Sequence, residues 1–125
     1  MEHEIKVSYY LTDEDLEDIV VTALEGGIGY WACLDNSDVE EEWWCKQPAN
    51  MPTAEYAYKI LCNGGILHFL EEEGDDEWYM DMADLFKGIG LAIQKQDWDG
   101  DMDTLDAMVA DTIFQYAMLG SVVYA

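Results

Sequence analysis

The run Asp97-Trp98-Asp99-Gly100-Asp101-Met102-Asp103 places four carboxylates on alternate positions. An EF-hand calcium loop uses acids in this way at positions 1, 3 and 5, with Gly at 6 and a bidentate Glu at 12. Counted from Asp97, position 6 is Met102 and position 12 is Met108. Both defining features fail, so an EF-hand is not expected; the run reads as a solvated acidic loop, with loose divalent-cation binding through its oxygens as the alternative, and no metal site or cofactor is predicted. A second run, Glu71-Glu72-Glu73-Gly74-Asp75-Asp76-Glu77, packs like charges that repel unless a cation or a basic surface lies opposite. In a third, Glu40-Glu41-Glu42 leads directly into Trp43-Trp44. Adjacent indoles point to opposite sides of an extended chain. One reading is an acidic-aromatic contact patch, since Trp is favoured at interface hot spots. The plainer reading puts one indole in the core and the other on the surface. These three runs are the candidate partner-binding residues.

Signals for catalysis are weak. Cys33, Cys45 and Cys62 have no metal-ligand or redox spacing, and an odd number of thiols suits a reducing compartment. His3 and His68 are far apart, and Cys62 with His68 lacks a third orienting group. No HExxH, nucleophile elbow or phosphate-binding glycine loop is present. The chain has no arginine to clamp a phosphate or carboxylate bidentately. The expectation is a protein without catalytic residues.

Charge is the dominant signal. Twenty-eight acids face five lysines, for a formal net charge of -23 in 125 residues. Such a surface repels nucleic acid and anionic membrane and attracts basic partners. Duplex DNA carries roughly one charge per 1.7 Å, so 23 charges match about 39 Å of duplex, close to the span of one small domain. Half the residues are hydrophobic and 13% are aromatic, which argues for a folded core despite the charge. One domain covering residues 1–125 is expected. No apolar run is long enough to cross a membrane. The opening MEHEIK has neither a basic nor an apolar signal region, so a cytoplasmic location is expected.

The elements that must hold these runs can be read from periodicity. Residues 4–11 alternate Ile5, Val7, Tyr9 and Leu11, which predicts a strand. Thr12 to about Leu24 predicts a helix, with Thr12 as N-cap, Asp15 completing a capping box, and a stripe of Leu16, Ile19, Val20, Ala23 and Leu24. Gly26 is expected to end it in a left-handed conformation. A short strand over 31–35 and a helix over 53–63 follow. A hairpin joins strands 66–70 and 77–82, with the second acidic run at its tip. A helix over 82–95, capped by Asp81, has the stripe Leu85, Phe86, Ile89 and Ile93. A fourth helix over 104–118 turns Leu105, Met108, Val109, Ile113, Tyr116 and Ala117 inward, and Ser121–Tyr124 predicts a last strand. The order predicts an α+β fold: about four helices on a small, mostly antiparallel sheet made of the hairpin and the N-terminal strand.

The stretch TDEDLEDIVVTALEGGIGYW, Thr12 to Trp31, resembles a segment of small acidic proteins encoded by phages and prophages of intestinal and clostridial bacteria. The tail (Asp106-Ala107, Val109-Ala110-Asp111, Gln115-Tyr116-Ala117, Gly120 and Val123-Tyr124) resembles the closing helix and strand of the same proteins. Together they cover about a third of the chain. The resemblance implies a phage-borne protein acting inside a bacterial cell. That family has no established chemistry, so no catalytic residue is implied.

Charge and context together predict a binding protein for a basic, nucleic-acid-binding host protein, with carboxylates standing in for phosphates. A host defence complex of the CRISPR or restriction type is the natural target, and no direct binding to nucleic acid is expected. The alternative is a self-assembling phage accessory protein, a homo-oligomer whose acids only keep it in solution.

Overall fold

A computed structural model describes residues 1–36 and 43–125. Among the described residues the order is helix α1 (Asp13–Thr22), strand β1 (Ala32–Leu34), helix α2 (Thr53–Cys62), strands β2 (Leu67–Glu71) and β3 (Glu77–Met80), helix α3 (Met82–Gln94) and helix α4 (Ala107–Leu119). The fold is α+β: four helices and a three-stranded antiparallel sheet in the order β1-β2-β3. Leu67 faces Met80 and Phe69 faces Trp78 across the hairpin, while Phe69 also pairs with Leu34 of β1. Leu67, Phe69 and Met80 point into a continuous core shared with Ile19, Ile60, Leu85 and Phe114.

The helix starts follow from local chemistry. The Thr12 hydroxyl accepts from the Asp15 backbone N–H and the Asp15 carboxylate accepts from the Thr12 N–H, a reciprocal box repeated by Asp81 and Asp84 on α3. Asp106 caps α4 by accepting from Val109 N–H. The helix therefore begins at Ala107, after a separate 3-10 turn over Met102–Thr104, rather than at 104.

The end of α1 differs from expectation. Gly26 has no positive φ, and the helix widens into a π turn over Ala23–Gly27, closed by Ile28 N–H donating to Ala23 O at 3.0 Å. The cause is packing. A Cβ on Gly27 would lie 3.0 Å from the Ala107 carbonyl oxygen, so the π turn rests on the first turn of α4. The chain then turns sharply, with Trp31 and Ala32 N–H both donating to Ile28 O, and enters β1.

Both predicted terminal strands are absent. Residues 1–10 are exposed and no hydrogen bond ties them to the described remainder, because no neighbouring strand is presented to them. Residues 121–125 run as an irregular tail, held by a side chain rather than a ladder: Gln115 Oε1 accepts from both Val123 and Tyr124 N–H at 2.8 Å. Two stripe residues also turn outward. Phe86 on α3 and Met108 on α4 are exposed, while Gly88 faces α4 instead.

Gly88 is where α3 and α4 touch. A Cβ there would fall 2.4 Å from Ile113 O and 2.8 Å from Ala117 Cβ, whereas one on Gly90 would meet nothing within 4 Å. Gly88→Ala is therefore expected to lose about 1–3 kcal/mol through overpacking. Gly90→Ala, on the same helix, is expected to gain roughly 0.5–1 kcal/mol from helix propensity. Urea unfolding of the two variants against wild type checks the opposite signs.

Candidate functional site

The turn out of the π segment delivers Tyr30 and Trp31 to α4, where the buried Asp111 receives them. Asp111 Oδ2 accepts from the Tyr30 hydroxyl at 2.5 Å. Its Oδ1 accepts from Trp31 Nε1–H at 2.7 Å and from Gln115 Nε2–H at 3.1 Å. Asp111 is 9% exposed, so each donor offsets the cost of taking a carboxylate out of water. Gln115 Nε2 also donates to Tyr124 O at 3.1 Å. The Tyr124 ring stacks on Trp31 at 4.9 Å, Trp78 meets Trp31 edge-on at 5.3 Å, and the Tyr124 hydroxyl donates to Glu71 at 3.0 Å. Burial and the adjacent Asp111 carboxylate push the Tyr30 phenol up to about 12. The network joins the segment that leaves α1 to α4 and the C-terminal tail. It was missed in the sequence because its members lie some eighty positions apart. The available signal was a polar i, i+4 pair, Asp111 and Gln115, inside an otherwise apolar helix.

This network fixes the base of the acidic hairpin. Glu72 N–H donates to Trp31 O and Glu71 N–H to Asp76 O, closing the tip. Glu71 is half-buried under Tyr124, while Glu72, Glu73, Asp75, Asp76 and Glu77 are exposed. Glu77 lies 3.2 Å from His68 Nε2, and Asp35 lies 3.3 Å from Nδ1 on the other side. The imidazole stacks on Tyr79 at 4.6 Å. The neighbouring Cys33 thiol is pushed up by burial, then by Glu72 and Asp35. A shift in this direction leaves less thiolate and makes the thiol a weaker nucleophile.

The second acidic loop is organised by its own backbone. Asp97 accepts from the Tyr116 hydroxyl at 2.5 Å. Asp99 accepts from Asp101 N–H at 2.9 Å and the Thr104 hydroxyl at 2.8 Å, and these bonds hold its carboxyl below the usual range. Asp101 accepts from Asp103 N–H at 2.9 Å. Trp98 anchors the loop beneath, its Nε1–H shared between Asp101 O and Thr104 Oγ1. Asp97, Asp99, Asp101 and Asp103 remain exposed. Among the described residues no group of three or more His, Cys, Asp or Glu is arranged to hold a metal ion.

Glu40, Glu41 and Glu42 lie outside the described residues. Trp44 is only 7% exposed and packs edge-on against Tyr56, so it is a core plug and not an exposed anchor. Trp43 is half-buried, and its carbonyl accepts from the Tyr56 hydroxyl at 2.6 Å. No hydrogen bond or ring contact joins the hairpin tip to the 97–103 loop among the described residues, so the structure presents two separate carboxylate displays. No protein-family model, no curated protein and no solved structure matches the chain.

Asp111→Asn would turn an amide N–H toward donors that need an acceptor, at an expected cost of about 2–3 kcal/mol, read by urea unfolding. A phenol held at about 12 when folded, against 10 when unfolded, favours the folded state fully below pH 10. That contribution is lost as pH rises from 10 through 12, because the unfolded chain sheds its proton first. Tyr30→Phe should therefore show a shallower loss of stability across this window than wild type, measured by chemical unfolding at stepped pH.

Proposed function

We propose that the chain is a phage-encoded binding protein without catalytic function. It acts in the bacterial cytoplasm by occupying the cationic groove of a nucleic-acid-binding host protein, in the manner of an anti-CRISPR or anti-restriction DNA mimic. The observation that carries the reading is the unneutralised acid. The chain has a net charge of -23, and among the described residues no lysine pairs with a carboxylate of the hairpin tip or of the 97–103 loop. Such carboxylates keep their field for a partner. The loops that bear them are braced from below by Trp98, Tyr116 and Tyr124, so little ordering cost falls on binding.

No helix among the described residues is long and apolar enough to cross a membrane, and a surface of this sign is repelled by anionic lipid. With Trp44 inside the core, the carboxylate displays carry the reading more than the indoles do.

A complex of this kind forms quickly and weakens with salt. The expected outcome is recovery of a nucleic-acid-binding protein from bacterial lysate on the immobilised chain. Its affinity should fall at least about tenfold between roughly 0.1 and 0.5 M NaCl. Replacing Glu72, Glu73, Asp75 and Asp76 with their amides should weaken it at low salt without changing the fold. A complex insensitive to salt, or recovery of partners with no nucleic-acid-binding surface, would sink the reading.

A further inference from the structure

Asp111 is a buried carboxylate whose bonded partners are all neutral: Tyr30, Trp31 and Gln115. These donors offset the loss of water but leave the charge uncompensated. The carboxylate also lines a groove of about 610 Å³, formed by the π turn at Gly26 and Gly27, by α4 and by the tail. None of the chain's five lysines lines this groove, and no residue of either acidic loop does. Its rim is apolar, with Met108 exposed on α4 and Val122 exposed on the tail. A carboxylate offers about four acceptor sites. Three are taken, two of them on Oδ1, so Oδ2 keeps one open. Two further oxygens lie beside it. The Tyr30 hydroxyl is 2.5 Å from Oδ2, and the Tyr124 carbonyl oxygen is 3.4 Å from that hydroxyl.

We propose that this groove binds a small primary alkylamine, with its ammonium on Asp111 and its stem along Met108 and Val122. The acceptors select the head group. An ammonium carries three N–H donors on a compact centre, and three oxygens converge here to receive them. A guanidinium fork needs both carboxylate oxygens open, and Oδ1 is already filled by Trp31 and Gln115. A metal ion needs further ligands, and among the described residues no group of three or more His, Cys, Asp or Glu is arranged to hold one. The Tyr30 phenol, pushed up to about 12, keeps its proton and adds no second negative charge. A cation that shares the dry site of a buried carboxylate is held more strongly than one in water, and a net charge of -23 draws cations toward it. Three segments of the one chain wall the groove, which suits a short stem more than a polypeptide. Nothing in this site depends on the host partner proposed above.

Binding is read by NMR at the Trp31 indole N–H, which is bonded to Asp111 and so reports the site directly. Titration with n-butylammonium at about 0.15 M NaCl should move this signal saturably. Tetramethylammonium has the charge and no N–H, and n-butanol has the stem and no charge. Each should bind at least about tenfold more weakly. A Cβ on Gly26 would meet nothing within 4 Å, so Gly26→Phe can place its ring in the groove and should weaken butylammonium at least about tenfold. Met108→Ala, at a position 78% exposed, trims the apolar rim without touching the core and should weaken it several-fold. A Trp31 signal unmoved by butylammonium, or moved equally by tetramethylammonium, overturns the proposal, and so does binding unchanged in both variants. A blocked lysine peptide that binds more tightly than butylammonium also overturns it, by giving the groove to a partner's side chain.

Discussion

One buried carboxylate organises the middle of this molecule. Asp111 can sit inside only because three donors converge on it, from Tyr30, Trp31 and Gln115. An ionised group with fewer partners would cost several kcal/mol in that position. The requirement propagates outward. Trp31 must lie flat enough to reach Oδ1, which sets the sharp turn after the π segment. Gln115, committed to Asp111 through its amide N–H, has its oxygen free to hold the tail at Val123 and Tyr124. Tyr124 then closes over Trp31 and reaches Glu71 at the base of the hairpin. Three segments distant in sequence are thus brought to one point by polar geometry, and apolar burial does the rest.

The same constraint accounts for how the acids are displayed. A chain with so many carboxylates gains stability by spreading them, and self-repulsion opposes any compact cluster. The hairpin tip and the 97–103 loop keep their carboxylates close because each loop spends some of its acids on its own scaffold. Asp99 and Asp101 accept backbone N–H groups, Asp97 accepts from Tyr116, and Glu71 accepts from Tyr124. The remaining acids, such as Glu73, Asp75 and Asp103, face solvent. Acids serving as structural acceptors thereby hold others in place as a fixed electrostatic surface.

Features written in short-range patterns were legible in the sequence. The capping box at Thr12, the N-cap at Asp81, the hairpin with its acidic tip, and the stripe of α1 need only neighbours within a few residues. Features set by distant partners were not. The alternation in residues 4–11 is a genuine strand pattern, but a strand exists only against another strand. Gly26 looked like a helix stop, yet Gly27 pressing on Ala107 made a π turn cheaper than a left-handed cap. Phe86 fitted the α3 stripe as well as any residue. Its outward position follows from Gly88, which must face α4 at a distance no side chain tolerates. That rotates the helix and carries Phe86 outward.

That rotation links the packing of the core to the character of the surface. A side chain at position 88 would run into Ile113 O and Ala117 and hold α4 away. With glycine there, the close contact between the two helices is also what leaves the Phe86 ring exposed. Exposure of Phe86 is therefore not slack in the fold but a consequence of its tightest contact. An outward ring produced in this way costs the core nothing, because Leu85 and Ile89 on either side remain buried. The division of labour on the surface has the same origin. Strongly anionic loops are braced through the Asp111 network and Trp98, while the face that exposes Phe86 is set by the approach of Gly88 to α4.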